Sequence, residues 1–565
     1  MNECANPMQD VMQSLRNIIV QAVEKAVDNG ELTKKPVPDF TIEIPADTKN
    51  GDFACNIAMA SAKTYHQSPR AIASAIADCL DLTASAFTHC EIAGPGFMNF
   101  FLHPSWFDKV VEKVLQEKKN YGKSNVGKHQ KVMVEFVSAN PTGPMHIGNA
   151  RGGAMGNCLA SILETVGYDV TREFYVNDAG NQIEKFAISL EVRYLQLFYG
   201  EEKILLPEDA YQGADITAHA RNFAEIYHDK YLHTGSEERK KALVDYALPL
   251  NIQKLQSDLG KYRIVYDKWF FESKLHQDNT IAKIVDILKE KGLTYEKDGA
   301  LWYKATAFGC EKDDVLVRAN GIPTYFAADI AYHYNKFAVR GFDRVINIWG
   351  ADHHGHVQRL KGAMDAIGLD GDKLDIVLMQ MVRLVRNGAP VKVSKRTGKS
   401  ITLSDLLDEI PVDAACFFFN MREANTHLDF DLDLAVAESS DNPVYYVQYA
   451  HARICSILKK LQEDGFEPTC EVNGELLVSS EERELIRLLA GFPNELLQAA
   501  HDYDPARITR CLLDVASLFH KFYNAHRVKG NDHALTQNRL NLCLAVKVVL
   551  QNGLHILKIT APETM

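Results

Sequence analysis

Apolar positions along the chain change period in blocks. Val11, Leu15, Ile18, Ile19, Ala22 and Val23 recur at helical spacing, and Phe40 to Ile44 is strand-like. An Ala/Ile-rich helix then runs from Ser68-Pro69 to Leu80, with Pro69 suited to the first turn. After the Gly94-Pro95-Gly96 turn comes a short apolar strand, Phe97 to Leu102. Helices mixed with strands predict a small α+β unit over residues 1–110.

Beyond a basic helix and a polar spacer, from about Lys109 to Lys131, the pattern becomes that of a strand covered on both faces. Lys131 to Val137 is almost continuously apolar. A Pro/Gly-rich turn (Asn140 to Pro144), a small-residue helix (Ala150 to Val166, closed by Gly167) and a strand (Asp169 to Val176) follow. Strand, crossover helix and strand predict a Rossmann-like doubly wound parallel sheet. From about Gln182 to Gly299 the chain is charged, aromatic and helical, which predicts a helical insertion. Sheet character resumes at Arg344–Trp349 and Leu374–Met379, giving a sheet domain over 111–440. Past about Asp441 nearly everything has helical period. Ile508, Leu512, Val515, Phe519 and Phe522 form one stripe, and Leu540 to Leu550 is almost wholly apolar. An all-α bundle over 441–565 completes a multidomain α/β chain.

Composition narrows the function. At 565 residues, three to four domains are expected. Apolar content of 46% and charged content of 24% exclude a disordered chain. Sixty-two basic against 74 acidic residues give −12, so any nucleic acid must be held by local cations. Eleven scattered cysteines without a C-x-x-C read as reduced thiols in a cytoplasmic protein, not a zinc ribbon. No basic, then apolar, leader opens the chain, and no uncharged run approaches about 18 residues, so no membrane span is expected.

Two segments carry candidate chemistry. Ser138-Ala-Asn140-Pro-Thr-Gly-Pro-Met-His146-Ile-Gly148-Asn149 places glycines, prolines and a histidine at a strand-to-helix turn. Orphan N–H groups and the helix dipole favour a phosphate there, and His146 could donate to it as charge grows. The second segment, Arg383 to Ser400, holds six basic residues and no acid, with Ser and Gly suiting closure over a polyphosphate. Asp352-His353-His354-Gly355-His356 raises a metal site, but adjacent residues of an extended strand end would point apart, and no intrinsic metal is expected.

His146-Ile-Gly148-Asn149 resembles the HIGH motif of class I aminoacyl-tRNA synthetases, and Lys392-Val-Ser394-Lys395-Arg396 resembles their KMSKS motif. More narrowly, Glu91–Phe97, Glu135–Pro144, Tyr325–Tyr332, Gly350–Gly355, Tyr446–Arg453 and the terminal Ala-Pro-Glu-Thr-Met565 resemble arginyl-tRNA synthetases. Asn149 stands where HIGH has its second His, and Val393 where KMSKS has Met. The resemblance implies activation of L-arginine by ATP, with Mg²⁺ accompanying the nucleotide, and transfer to tRNA(Arg) by a cytoplasmic monomer. It implies catalytic roles for His146, Asn149 and Lys395, and ATP contacts at Gly143, His146, Gly148, Asn149, Gly350, Asp352, Lys392, Ser394 and Lys395. Arginine would meet Glu135, Tyr325 and Asp329 at its guanidinium, Ser138 and Asn140 at its α end, and His353 nearby. A planar cation with five donors calls for such carboxylates independently. Tyr446, Tyr449, Tyr523 and Met565 would offer stacking platforms to anticodon bases, and the N-terminal unit would touch the tRNA elbow.

Overall fold

The computed structural model describes residues 6–45, 47–391 and 401–565. In the N-terminal unit, four antiparallel strands lie in the order Ile42–Glu43, Phe53–Cys55, Phe97–Leu102, Phe87–Ala93. The helix Pro7–Asp28 packs over this unit, started by Asn6, whose side chain accepts the Gln9 N–H at 3.3 Å. Leu15, Ile19, Phe53, Ile76 and Phe100 are fully or almost fully buried between the layers.

The central sheet is parallel throughout. Strand β1 (Lys131–Glu135) leads into helix α1 (Ile147–Thr165) and returns as β2 (Asp169–Val176). Every residue of α1 from Ala150 to Leu163 is buried. Its small residues permit that: a Cβ at Gly156 would collide with the Phe136 ring.

Three helices, α2 (Asn181–Tyr199), α3 (Ala214–Tyr227) and α4 (Ser236–Lys261), then enclose a separate core around Phe186, Leu190, Tyr194, Phe223 and Leu243. The helical segment ends sooner than its sequence suggests. Strand β3 (Lys268–Phe271) pairs in parallel with β2 and extends the main sheet. Thr294–Lys297, Ala300–Tyr303 and Asp314–Val317 form a small antiparallel sheet of their own. These strands are about four residues long and flanked by charge, too short for a two-residue period to stand out. Helix α5 (Tyr325–Tyr334), strand β4 (Arg344–Gly350), helix α6 (His354–Ala366) and strand β5 (Leu374–Met379) complete the central sheet and its covering.

The spatial order is β5-β4-β1-β2-β3. From β1 the chain winds first to one side and then to the other, so the switch point lies between β1 and β4, where a crevice opens at their carboxyl ends. The C-terminal bundle comprises α7 (Pro443–Glu463), α8 (Ser480–Asp502), α9 (Ala506–Ala525) and α10 (His533–Ile556). Its core is continuous with that of the N-terminal unit and with α1. The Tyr121 hydroxyl donates to the Leu489 carbonyl at 2.8 Å, and Gln448 donates to Asp413 and to the Thr560 carbonyl at 2.8 and 2.9 Å. Among the described residues no helix is long and apolar enough to cross a membrane.

Candidate active site

The backbone kinks sharply where β1 ends. Val137 and Ser138 adopt φ of +69° and +44°, a left-handed conformation that a β-branched residue rarely takes. Three contacts hold the kink. The Ser138 hydroxyl donates to Glu135 Oε1 and accepts the Tyr175 N–H, both at 3.1 Å, and the Ser138 N–H reaches the Phe136 carbonyl at 3.0 Å. With its proton on Glu135, the Ser138 oxygen can only accept from a ligand.

The chain then crosses to the start of α1, where His146 is the N-cap and is exposed. Asn149 Oδ1 accepts the His146 N–H at 3.0 Å, and the Asn149 N–H donates to the His146 carbonyl at 2.9 Å. The amide that replaces the second histidine therefore fastens the first one to the helix terminus. Its NH₂ is the part left to meet a phosphate. Thr402 pairs with His146 in an antiparallel bridge, and the Leu403 N–H donates to the Met145 carbonyl at 2.9 Å. Thr402 and Leu403, just past the basic segment, thus lie beside the histidine, while Lys392, Ser394 and Lys395 lie outside the described residues.

Two adjoining cavities occupy the crevice. The larger, about 1200 Å³, is lined by Ser138, Asn140, Gly143, His146, Asn149 and His353 among others. The smaller, about 260 Å³, is lined by Glu135, Ser138, Tyr175, Asp329, Gly350, His353 and His356 among others. Gly148, Tyr325 and Asp352 line neither. Tyr325 shares the α5 face of Asp329 but stays 42% exposed, its ring beside Gly180. A Cβ at Gly350 would meet the Asp352 carboxylate, an exposed side-chain end that is free to swing away.

A row of polar side chains forms the floor. Glu135 is in register with Asn347 on β4 and Glu173 on β2. All three are buried and all three are answered from α5 and the widened turn that continues it. Lys336, with 0% side-chain exposure, donates to Glu135 Oε2 at 2.5 Å and to Asn347 Oδ1 at 3.1 Å. Arg340 and the Tyr332 hydroxyl bind Glu173. The turn Asn335–Val339 is π-type: the Arg340 N–H bonds the Asn335 carbonyl five residues back, at 2.9 Å. Glu135, which the resemblance sets against the guanidinium, is therefore not a free carboxylate: an internal ammonium already pairs with it. Burial pushes the Lys336 ammonium down, and it pushes His333 well below the usual histidine range. The neutral His333 donates from Nδ1 to the Asp329 carbonyl at 2.7 Å and accepts from Asn347 at Nε2, 3.0 Å.

Two acids remain: Asp329 lines the smaller cavity, and Glu272 lines neither but bonds Tyr175, which does. Asp329 is one-third exposed and accepts from His356 at 2.9 Å. Glu272, unmarked in the sequence, is 3% exposed and hydrogen-bonded to Tyr175. Burial, with Asp329 and Asp178 nearby, raises its carboxyl to about 7. The histidines do not form a metal cluster: Ala351–His353 is a short turn, not strand, His354 opens α6, and no metal-holding group of three occurs among the described residues.

In the bundle, Tyr446 and Tyr449 both pack on His520, with ring centroids 4.8 and 5.9 Å away. Arg453 spans Tyr449 and Tyr523 at 5.7 and 4.1 Å. Tyr449 and Met565 are exposed, whereas Tyr446 and Tyr523 are half-buried. Arg453 closes the segment Tyr446–Arg453 that carried the resemblance, whereas His520 carried no signal beyond helical spacing.

Three family models match successive parts of the chain: the arginyl tRNA synthetase N terminal domain over 13–102, the class I (R) tRNA synthetase catalytic domain over 110–439, and the DALR anticodon binding domain over 447–565. The arginine–tRNA ligase of Acetivibrio thermocellus is 53% identical over 99% of this chain and 100% of its own. The chain belongs to the arginyl-tRNA synthetases. The arginine–tRNA ligase of Caldanaerobacter subterraneus is also 53% identical, over 99% of this chain and 100% of its own. A putative arginyl-tRNA synthetase from Campylobacter jejuni has a TM-score of 0.73 at 33% identity, covering 82% of this chain and 100% of its own. The Thermus thermophilus arginyl-tRNA synthetase has the same fold, with a TM-score of 0.73 at 22% identity over 98% of this chain and 100% of its own. An arginyl-tRNA synthetase is a class I enzyme, so the crevice at the switch point is where its nucleotide chemistry is expected.

Proposed function

We propose that this chain is an arginine–tRNA ligase that condenses ATP, as its Mg²⁺ complex, with L-arginine to arginyl-adenylate. It then passes the arginyl group to the 2′-hydroxyl of the terminal adenosine of tRNA(Arg). The observation that carries this is the pair of adjoining cavities at the switch point, one floored by acids and the other opening on a helix N-terminus. Arginine lies with its guanidinium against Asp329, near Glu272, and its α end at Ser138 and Asn140. Glu135, paired with Lys336, acts by fixing the Ser138 hydroxyl. The arginine carboxylate attacks the α-phosphate; an α1 N-terminus carrying His146 and the Asn149 amide meets the growing charge, and Lys395 meets the departing pyrophosphate. Gly143, Gly148, Gly350, Asp352, Lys392 and Ser394 surround the nucleotide, with Tyr325 and His353 at the mouth of the arginine pocket.

Residues 1–110 touch the tRNA elbow and 441–565 read the anticodon through Tyr446, Tyr449, Tyr523 and Met565. The enzyme works as a cytoplasmic monomer. Pyrophosphate exchange into ATP, run with arginine in the presence and absence of tRNA, tests the whole reading. Exchange that needs both arginine and tRNA supports it. Exchange on another small molecule would indicate a nucleotidylyltransferase, and no exchange would indicate a tRNA-binding relative without catalysis.

A further inference from the structure

Asp329 belongs to a chain of four charged or polar groups drawn from three elements. Asp314, at the start of the small-sheet strand Asp314–Val317, accepts from Arg359 Nη1 at 2.8 Å. Arg359 Nη2 lies 2.9 Å from Nδ1 of His356, one turn earlier on α6. His356 Nε2 lies 2.9 Å from Asp329 Oδ2 on α5. The direction of every bond follows from one fact: a guanidinium has donors and no acceptor. Nδ1 of His356 must therefore present its lone pair to Arg359, and the ring proton must sit on Nε2, facing Asp329. A ring so held is neutral.

The consequence concerns charge. A protonated histidine at 2.9 Å would neutralise Asp329 and blunt its pull on a cationic ligand. A neutral donor fixes the same oxygen and leaves the negative charge in place. Oδ1 has no hydrogen-bond partner among the described residues. The imidazole is also wedged sterically: its centroid is 5.5 Å from the Trp349 ring and 5.8 Å from the Phe326 ring. The other titratable groups near it are His333 on α5, which is neutral, and His353, whose ring centroid is 6.1 Å from that of Trp349.

We propose that His356 is a positioning residue for arginine selection: Arg359, anchored by Asp314, holds it as the neutral Nε2–H tautomer, so that it orients Asp329 without discharging it. This rests on the reading that Asp329 receives the guanidinium. The test is steady-state aminoacylation by the full-length enzyme with arginine or ATP varied. His356→Leu should raise the KM for arginine by about tenfold, the scale of one hydrogen bond to a charged group, and leave the KM for ATP unchanged. His356→Gln, which offers a neutral donor and an acceptor, should recover most of that loss. Arg359→Met frees Nδ1, so the ring can take a second proton. Its KM for arginine should then climb more steeply with falling pH than that of the unaltered enzyme. A wild-type arginine KM in His356→Leu overturns the inference, as does an Arg359→Met pH profile matching wild type. So does a His356→Gln as impaired as the leucine variant. Asp329→Asn separates the two levels. If it too is unaffected, the reading of the pocket has failed; if it alone is impaired, only the role of His356 has.

Discussion

Lys336→Met removes the cation beneath the pocket. In the intact protein the ammonium is fully buried, 2.5 Å from Glu135 Oε2 and 3.1 Å from Asn347 Oδ1, with the Tyr332 ring 4.1 Å away. Methionine keeps the volume but strands a carboxylate that is 7% exposed. Breaking one side of a buried pair costs about 3–5 kcal/mol. Glu135 retains the Ser138 hydroxyl at 3.1 Å, which places the expected loss near the lower end, about 3 kcal/mol. Adding Glu135→Gln should restore most of it, because an amide needs no counter-charge. Urea unfolding followed by fluorescence, with Trp269 and Trp349 reporting on the sheet domain, measures the four members of the cycle. Additive single-variant losses would refute the account of the pair.

Asp329→Asn should lower kcat/KM for arginine about 10²-fold, since one charge-assisted contact of up to about 3 kcal/mol is lost from a partly exposed carboxylate. Near-normal kinetics would remove that residue from the pocket. Glu272, raised to about 7 from 4.5, binds its proton more tightly folded than unfolded. Its contribution to stability is thus full below about pH 4.5 and is lost as pH rises through 7. Glu272→Gln should therefore gain on the wild type as pH rises from about 4 to 8, approaching about 3 kcal/mol in all, in urea midpoints taken across that range; a constant gap would contradict the shift. Gly156→Ala should destabilise by roughly 1–3 kcal/mol or more, because α1 cannot retreat from Phe136 without moving off the sheet; an unchanged melting temperature would show that it can.

How much could be read in advance depended on the range over which each signal acts. Strand 131–137, helix 150–166 and strand 169–176 appear as Lys131–Glu135, Ile147–Thr165 and Asp169–Val176, because burial on both faces writes itself into consecutive residues. Phe87–Ala93 went unpredicted: Thr88, His89 and Glu91 are polar enough to pass for loop, and only pairing with Phe97–Leu102 makes a strand of them. The left-handed kink at Val137 and Ser138 opposes the local preference of valine and is imposed by Glu135 and Tyr175. Lys336 answers a carboxylate 201 positions away, and Glu272 meets Asp329 only once β3 has joined the sheet. Local patterns gave the turn and the helix terminus; charge pairing across the sheet stayed invisible.

The π-type turn at Asn335–Val339 stores a phase. One surplus residue in the coil advances everything after it by about a quarter of a revolution relative to a regular helix. That offset lets Lys336 and Arg340, four positions apart, address neighbouring strands, one at Glu135 and the other at Glu173. Deleting a single residue from this segment would leave the helix more regular and the floor of the pocket undone. Length there is as constrained as identity, and an otherwise harmless indel would be felt first in the choice of amino acid.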